Sequence, residues 1–388
     1  MDNKHPHISF KQSWTLTQDI LYELGQCYAA IRAISETPIQ PDYRKKLLAV
    51  SITKGAQSTT AIEGNTLTDE EIDLIQKGRN LPPSKEHQQN EVKNIISAFN
   101  ELLDEAVTHN HGVLIDEKFI LRLHKMVGQD LGENFSATPG KFRNHPVVVG
   151  YYRAPEHPLV KEMTKKFCDW TRSQFHYEKG QNFIDSVIQA IVSHVYIAWI
   201  HPFGDGNGRT ARLLEFYILL RAGNPDFALH LLSNFYNQTR PEYYRHLDKS
   251  TKTGDLTEFI AYAVRGYRDG LFGILELIHK NQMDISWKNY VYNIFDSKKI
   301  TGKSEELNKR RRNLILSIPP DRHYTIDELI KINIETAIAY KDLSSRTISR
   351  DINELINLEL LSIDEDGLYY ANFDLLKKFM PRRVDRTK

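Results

Sequence analysis

One short segment, residues 188–221, limits the fold more than any other part of the sequence. It is typical of an apolar helix that ends in His201, a loop with three glycines at alternate positions, and an amphipathic helix that starts near Arg209. Glycine permits positive φ angles and close backbone approach, so successive N–H groups in such a loop can surround an anion. The N-terminus of the following helix favours a phosphate at the same place. The segment therefore predicts a phosphate site at the turn between two helices.

Four side chains in this segment could act on a bound polyphosphate. Arg209 and Arg212 lie one helical turn apart and can offer forked donors on the same face. Asp205 supplies an oxygen ligand suited to Mg²⁺, which usually binds through one or two carboxylates together with substrate phosphates. His201 is the nearby side chain whose ordinary pKa suits a general base at neutral pH. The segment therefore predicts a polyphosphate cradle with a metal ion and a base beside it.

The familiar nucleotide-binding fingerprints are absent from the sequence. It has no G-x-x-x-x-G-K-[ST] segment, and the glycines follow a helix rather than a strand, which argues against a dinucleotide-binding site. A simpler interpretation is a glycine-rich turn beside a buried structural histidine. That interpretation is disfavoured because one histidine, one aspartate, three glycines and two arginines fall within twelve residues.

Residues 201–212 match every defining position of a known motif, H-x-F-x-[DE]-G-N-G-R-x-x-R. The chain therefore resembles the Fic (filamentation induced by cAMP) family over roughly residues 10–280. The resemblance implies an all-α Fic fold that acts as a protein adenylyltransferase. Such an enzyme transfers AMP from magnesium-bound ATP to a hydroxyl side chain of a target protein, here Tyr, Ser or Thr, and the target could be the chain itself.

The resemblance also implies a role for each motif position. His201 would deprotonate the target hydroxyl, and Asp205 would hold Mg²⁺ on the α- and β-phosphates. Arg209 would contact the β-phosphate and Arg212 the γ-phosphate, while Phe203 would anchor the loop in the core. Relatives that act as kinases carry Lys where this chain has Gly208, and the Gly favours AMP transfer. The anion hole and the rest of the nucleotide site would comprise Gly206, Asn207, Gly208, Thr210 and Ala211.

A segment far upstream resembles the family's inhibitory motif, [ST]-x-x-x-E-[GN]. It reads Thr-Thr-Ala-Ile-Glu-Gly-Asn over residues 59–65, and Gly64 can end the preceding helix. The resemblance implies that Glu63 pairs with Arg212 in place of the γ-phosphate, so that bound ATP is misaligned for attack. The alternative without a function is an exposed glutamate at a helix end. A second functional alternative is that Glu63 orients a water that removes AMP from a modified protein.

Two more segments resemble parts of the family's substrate site. Residues 146–152 are predicted to form a hairpin, and the segment from Arg143 to Tyr152 resembles the family's flap, which aligns the target segment by strand addition. The Tyr-Tyr-x-x-Leu segment at Tyr243 and Tyr244 resembles the aromatic wall of the adenosine pocket, whereas Thr253 stands where relatives often carry Asn. An ordinary edge hairpin and two core tyrosines are the alternatives. The flap's nucleotide contacts would fall on Val149, Gly150, Tyr151 and Tyr152.

Composition limits the remaining function classes. A net charge of +1 disfavours a whole-surface nucleic-acid binder or a polybasic membrane protein. Two cysteines, Cys27 and Cys168, exclude a disulfide-stapled scaffold and a cysteine-rich zinc module. The N-terminus has no apolar signal region, and the most apolar stretch, residues 188–200, is too short to span a bilayer. We therefore expect a cytoplasmic protein with no membrane partner.

The predicted fold class is mainly α: a Fic-type helical core with a small β-hairpin flap, followed by a winged-helix domain. Residues 1–110 would form an N-terminal helical region with the inhibitory helix, and residues 111–285 the catalytic core. Residues 300–388 show the order helix, helix, helix, hairpin, with Asp-Glu-Asp-Gly at the hairpin turn. This order is typical of a winged helix-turn-helix domain.

The role of the C-terminal part is left open by the sequence. Its basic and acidic residues nearly balance, so the charge of a strong DNA binder is missing. Ser345, Arg346, Ser349 and Arg350 on the third helix could still contact a duplex. A protein-docking or homodimerising role is favoured over DNA binding. An ATP-sensing, DNA-binding regulator is the alternative from another functional class.

Overall fold

The computed structural model describes residues 4–108, 114–175, 183–297 and 305–379. Contacts between residues divide the chain into two compact units, Met1–Glu276 and Leu277–Lys388. The domain boundaries that the sequence predicts at residues 110/111 and 300 lie outside the described residues, so that division stays a prediction. The mainly α fold class is confirmed, because within the described ranges the only strands belong to two short antiparallel hairpins.

The first unit consists of helices joined by short connections and one hairpin. Its strands β1 (Val148–Val149) and β2 (Tyr152–Arg153) pair in the register Val149 with Tyr152. The helices are α1 (Gln18–Glu36), α2 (Pro41–Ala61), α3 (Asp69–Gln76), α4 (Glu86–Thr108), α5 (Glu117–Gly128), α6 (His157–Gln174), α7 (Phe183–Ile200), α8 (Asn207–Arg221), α9 (Leu231–Gln238), α10 (Arg240–Thr253) and α11 (Thr257–Ser297), of which the part from Leu277 onward belongs to the second unit.

Helix α9 has no recognisable start signal in the sequence. It is only eight residues long, and His230 at its N-cap makes no side-chain capping hydrogen bond, so the usual start signal is absent.

Helices α7 and α8 form the centre of this unit. Nearly every residue of α7 from Ser186 onward is buried, so its apolar sequence is accounted for by packing. By length and composition alone this helix could also cross a membrane, but most of it is buried inside the protein. The expectation that α8 is amphipathic is wrong: it is buried on all sides, because α2, α4, α5 and α7 surround it.

The C-terminal half of helix α2 is built into the core, whereas most of its N-terminal half is exposed. It packs against α4, α8 and α9, and its buried Ser51 hydroxyl donates to the Phe227 carbonyl. The helix ends at Ala61, and Gly64 takes a φ of 102° that permits the sharp change of direction. Glu63 therefore lies on the turn that directly follows the buried C-terminal end of α2.

The second unit has its own hydrophobic core around Trp287, Leu314 and Leu355. Its order is close to the predicted one, but an additional helix, Ile334–Tyr340, separates the second and third predicted helices. Assignment as a winged helix-turn-helix domain stays a prediction. The elements are α12 (Glu305–Ser317), α13 (Ile326–Leu329), α14 (Ile334–Tyr340), α15 (Ser345–Asn357), β3 (Leu361–Ile363), β4 (Tyr369–Ala371) and α16 (Asp374–Lys377).

Two arginines of a basic run in the sequence, residues 309–312, turn inward in this unit. Arg310 and Arg311 bind both carboxylate oxygens of Asp351, which is fully buried on α15. A buried charge is tolerated only when it is paired in this way. This part of the basic run therefore contributes to the core of the second unit.

Candidate active site

The glycine-rich loop between α7 and α8 is held by its own side chains. The Asn207 amide spans the loop: its Oδ1 accepts from the Phe203 N–H and its Nδ2 donates to the Phe203 carbonyl, both at 2.9 Å. The Phe203 ring is fully buried, as expected of an anchor. Helix α8 begins at Asn207, two residues before the predicted start, because Gly206 adopts a left-handed φ of 76° as the N-cap.

A cavity of about 760 Å³ opens beside this loop. It joins the flap hairpin, the end of α7, the start of α8 and one face of α10. Many of the predicted site residues meet there, although they are scattered over almost two hundred positions. The predicted residues that line it are Glu63, Val149, Tyr151, Tyr152, His201, Asn207, Gly208, Tyr243 and Tyr244.

His201 reaches the cavity from a strained position. Its φ of 49° lies in the left-handed region, which is unusual for a residue with a side chain. Nδ1 lies 3.3 Å from the Ala198 carbonyl oxygen, which can only accept, so Nδ1 donates and Nε2 keeps its lone pair. Burial lowers the pKa of His201 to about 4. The ring is therefore neutral at pH 7 and can accept a proton at Nε2.

Arg212 on α8 is buried and only partly satisfied. Its Nη2 donates to the Thr59 carbonyl at 2.8 Å and to Glu63 Oε1 at 2.6 Å. Its Nε and Nη1 atoms are buried without a hydrogen-bond partner. Burial alone would raise the pKa of Glu63, but the charge and hydrogen bond of Arg212 outweigh it and lower the pKa overall. The structure thus brings together the pair that the resemblance predicts, Glu63 and Arg212, and leaves Nε and Nη1 of Arg212 available to a further acceptor.

Asp205 and Arg209 form a second charged cluster behind the loop. Asp205 Oδ1 accepts from Arg209 Nη2 at 2.9 Å, and Oδ2 accepts from the Ser136 N–H at 3.3 Å. The other end of the Arg209 guanidinium binds Glu91 on α4. Within the described ranges, no group of three or more His, Cys, Asp or Glu side chains could hold a metal ion. Any ion at Asp205 would therefore need further oxygens from water or from a substrate.

Some predicted nucleotide contacts do not face the cavity. Thr210 is fully buried and its hydroxyl donates to the Gly206 carbonyl, while Ala211 is buried in the helix core. Gly208, by contrast, lines the cavity and lies so close to Glu63 that a Cβ at this position would overlap the Glu63 carboxylate. The predicted residues outside the cavity lining are Gly150, Asp205, Gly206, Arg209, Thr210, Ala211 and Arg212.

The aromatic wall of the cavity rests on a buried polar chain. The Tyr243 hydroxyl lies 2.8 Å from His194 Nε2, and His194 Nδ1 lies 3.0 Å from Glu215 Oε2. Tyr236 donates to the other oxygen of Glu215 at 3.0 Å. Across the cavity, the Tyr152 hydroxyl of the flap donates to the Trp199 carbonyl at 2.7 Å. One tyrosine on each side is thus fixed in direction.

Sequence reasoning misses two polar residues that support the loop, Glu91 and His124, and it assigns a third, Arg143, only to the flap. Glu91 holds Arg209, and Arg143 donates to the His201 carbonyl at 2.8 Å. His124 contacts the Asp205 carbonyl from α5. Each is an isolated polar residue far from the loop in sequence. The sequence signal for such a residue is a polar side chain on an otherwise apolar helix face. His124 has this signal, because it lies on the same buried face of α5 as Phe119, Leu123 and Val127.

Comparison with known proteins agrees with this geometry. Residues 114–219 match the model of the Fic/DOC family. The chain is 32% identical over 209 residues to the protein adenylyltransferase fic-1 of Caenorhabditis elegans, covering 53% of this chain and 38% of that protein. It is 31% identical over 210 residues to the protein adenylyltransferase Fic of Nematostella vectensis, covering 53% and 45%. The chain thus spans less than half the length of these relatives.

Solved structures share the fold at lower sequence identity. A Fic family protein from Desulfovibrio desulfuricans matches with a TM-score of 0.57 and 18% identity, covering 93% of this chain and 98% of that one. Fic-1 (residues 134–508) from C. elegans matches with a TM-score of 0.53 and 22% identity, covering 68% and 73%.

Proposed function

We propose that this chain, which carries a Fic/DOC family domain, is an autoinhibited protein adenylyltransferase. It would transfer AMP from ATP to a Tyr, Ser or Thr hydroxyl of a target protein. The observation that carries the proposal is that one cavity is lined by a neutral His201, by the N-terminus of α8 and by Glu63, the carboxylate that pairs with the buried Arg212. The relatives named protein adenylyltransferase support the same activity.

The start of α8 fits a triphosphate. The first-turn N–H groups of a helix lack intrahelical partners and favour anions. One turn further, the unpartnered Nε and Nη1 atoms of Arg212 are buried donors that a phosphate oxygen would satisfy. Tyr243 and Tyr244 line the same cavity and give the adenosine an aromatic surface. Phosphates would therefore bind along α8, with the nucleoside toward α10.

His201 would act as the general base. Its Nε2 takes the proton of the target hydroxyl as the hydroxyl oxygen bonds to the α-phosphorus. The bond from that phosphorus to the oxygen bridging the β-phosphorus breaks, and pyrophosphate leaves. The Ala198 carbonyl fixes the ring by accepting from Nδ1, so the lone pair stays available. General-base catalysis of this kind contributes roughly 10²- to 10⁴-fold.

Asp205 is the residue that would hold Mg²⁺. A carboxylate is the hard oxygen ligand this ion prefers, and the Asp205 side chain is about one-third exposed (31%). The lack of a protein-only metal cluster in the described part of the chain suits an ion that completes its shell with phosphate oxygens and water. Bound Mg²⁺ would neutralise charge on the phosphates.

Glu63 would supply the autoinhibition. Its carboxylate occupies Nη2 of Arg212 and lies directly against Gly208, where the outer phosphates would enter. A phosphate and a carboxylate cannot both take these positions without repulsion. ATP would then bind weakly or with its α-phosphorus turned away from His201.

Transfer of label from ATP carrying ³²P at its α-phosphate tests the proposal. Incubated with Mg²⁺ and a cell lysate, the Glu63→Gly variant should label itself or other proteins at least about tenfold more than the parent chain. Adding His201→Ala should abolish labelling, because the base is lost, while nucleotide binding persists. Folded Glu63→Gly protein that binds ATP but labels nothing would refute the transferase.

The same cavity favours one second function, removal of AMP from a modified protein. Glu63 lines the cavity together with His201, so its carboxylate could orient an attacking water. A pre-modified target distinguishes the two functions: the hydrolase predicts AMP release by the parent chain that is lost in Glu63→Gly. The transferase predicts instead that the same substitution raises AMP transfer and that the parent chain releases no AMP.

A further inference from the structure

His124 on α5 touches the catalytic loop from behind. The side chain is fully buried, and its ring stacks on Phe203 with centroids 3.7 Å apart and planes within 1°. Its Nε2 lies 3.0 Å from the Asp205 carbonyl oxygen. Its Nδ1 lies 3.0 Å from the backbone nitrogen of Gly140. The ring is therefore held at both nitrogens and on one face.

These two contacts fix the protonation state of the ring. A carbonyl oxygen can only accept and a backbone N–H can only donate, so Nε2 carries the proton and Nδ1 presents a lone pair. Protonating Nδ1 would set two donors against each other at Gly140. The two contacts together therefore require a neutral imidazole with its proton on Nε2.

The bond to His124 determines which way one peptide group faces. The Asp205 carbonyl points to α5, so the Gly206 N–H of the same peptide points away from it and donates to the Asp205 carboxylate. That carboxylate also accepts from Arg209. Gly206, at a φ of 76°, can follow a flip of this peptide at little cost. Without the restraint, the carbonyl and the N–H could exchange directions.

We propose that His124 is a positioning residue for the phosphate site. By holding the Asp205 carbonyl, its Nε2–H fixes the Asp205 carboxylate and the N-terminus of α8 in the orientation that magnesium-bound nucleotide requires. This role rests on the proposed function only for its consequence in catalysis. Its consequence for nucleotide binding can be measured separately.

Two substitutions of His124 each keep one of the two hydrogen bonds of the ring and remove the other. In His124→Gln, the side-chain Nε2 can reach the Asp205 carbonyl but offers no acceptor to Gly140. In His124→Asn, Oδ1 can accept from Gly140 but the side chain is too short to reach Asp205. Both lose the stack on Phe203, so a purely structural role predicts similar losses of stability and activity. Each is made in the Glu63→Gly variant, which serves as the reference.

The readouts are AMP transfer, affinity for a non-hydrolysable ATP analogue with and without Mg²⁺, and urea unfolding. We expect His124→Gln to stay within about threefold of the reference and His124→Asn to lose about 10- to 100-fold in magnesium-dependent affinity and in kcat, as for other supports of metal ligands. Equal activity of the two folded variants, high or low, would overturn the proposal. If the reference binds nucleotide but transfers no AMP, the proposed function fails, and the affinities still decide the role of His124.

A measurement on the unsubstituted chain covers the case in which both variants unfold. Nitrogen-15 NMR of the histidine rings, with His124 identified through its contact with Phe203, should show a proton on Nε2 and none on Nδ1 from pH 8 to pH 6. A proton on Nδ1 would mean that the ring cannot hold both contacts. That result would refute the proposal without any substitution.

Discussion

Each unit of this protein pairs an arginine on one helix with a carboxylate, yet the two pairs differ in every respect that matters for function. In the first unit, Arg212 binds Glu63, whose side chain is 33% exposed and borders a cavity. In the second unit, Arg311 binds Asp351, whose side chain is 0% exposed. Arg310 takes the second oxygen of Asp351, so no part of this carboxylate is available to a ligand.

The difference shows how an ion pair can be exchangeable or structural. Glu63 can leave Arg212 by moving into the cavity, where water or phosphate can take its place. Asp351 cannot leave Arg310 and Arg311 without placing unpaired charges in a core, which is costly. The first pair is therefore suited to regulation, and the second contributes to the folding of its unit.

The largest expected effect concerns the structural pair. Asp351→Asn keeps the shape of the side chain but removes the charge that compensates Arg310 and Arg311. Breaking a buried pair in this way costs about 3–5 kcal/mol, so residues 305–379 should lose most of their stability. Hydrogen exchange followed by mass spectrometry on the full chain resolves this segment from the rest.

Arg346→Ala on the same helix is the matched control. Arg346 is exposed, and its removal should change stability by less than about 0.5 kcal/mol. If Asp351→Asn is tolerated as well as Arg346→Ala, the contrast between the two pairs is wrong.

A smaller effect is expected at the exchangeable pair. In Gly208→Ala, the new Cβ would displace the Glu63 carboxylate from Arg212, because the two overlap. Without Glu63 the same alanine should be neutral or slightly stabilising, since alanine is the better helix former. A double-mutant cycle with Glu63→Gly should therefore give a coupling of about 1–2 kcal/mol in urea unfolding.

The control cycle combines Gly208→Ala with Glu162→Gly, an exposed glutamate on α6. These two changes should be additive within about 0.5 kcal/mol. Additivity in the Glu63 cycle as well would show that Gly208 does not face Glu63 closely in solution.

The sequence predicts the exchangeable pair better than its surroundings. The motif over residues 201–212 and the short segment around Glu63 indicate that Arg212 and Glu63 meet, and they lie 2.6 Å apart. Both belong to local patterns of several residues. His124 and Glu91 support the same loop as single residues, and no local pattern assigns either of them to that loop. Contacts of that kind follow from tertiary packing, which no sequence spacing encodes.

The same reasoning explains the errors in the fold. Helix α8 has arginines and a glutamate along its length, a pattern typical of an exposed face, yet those side chains bind partners inside the core. The basic run at residues 309–312, which the sequence indicates only as the start of a short helix, likewise contains a buried arginine, Arg311. In both cases the partner carboxylate lies on a distant element. Charge therefore indicates exposure only when no partner is brought to it by the fold.

The smallest expected effect is the absence of a pH response at the exchangeable pair. Arg212 lowers the pKa of Glu63 below its usual 4.5, so the carboxylate stays charged, and keeps its contribution to stability, until the pH falls below that value. The pKa of His201, lowered to about 4, leaves the base neutral over the same range. The ratio of AMP transfer by Glu63→Gly to transfer by the parent chain should therefore stay constant within about twofold between pH 8 and pH 6. A ratio that falls steadily as the pH is lowered would mean that Glu63 loses its charge near neutrality, and the ion pair with Arg212 could not then be the inhibitory contact.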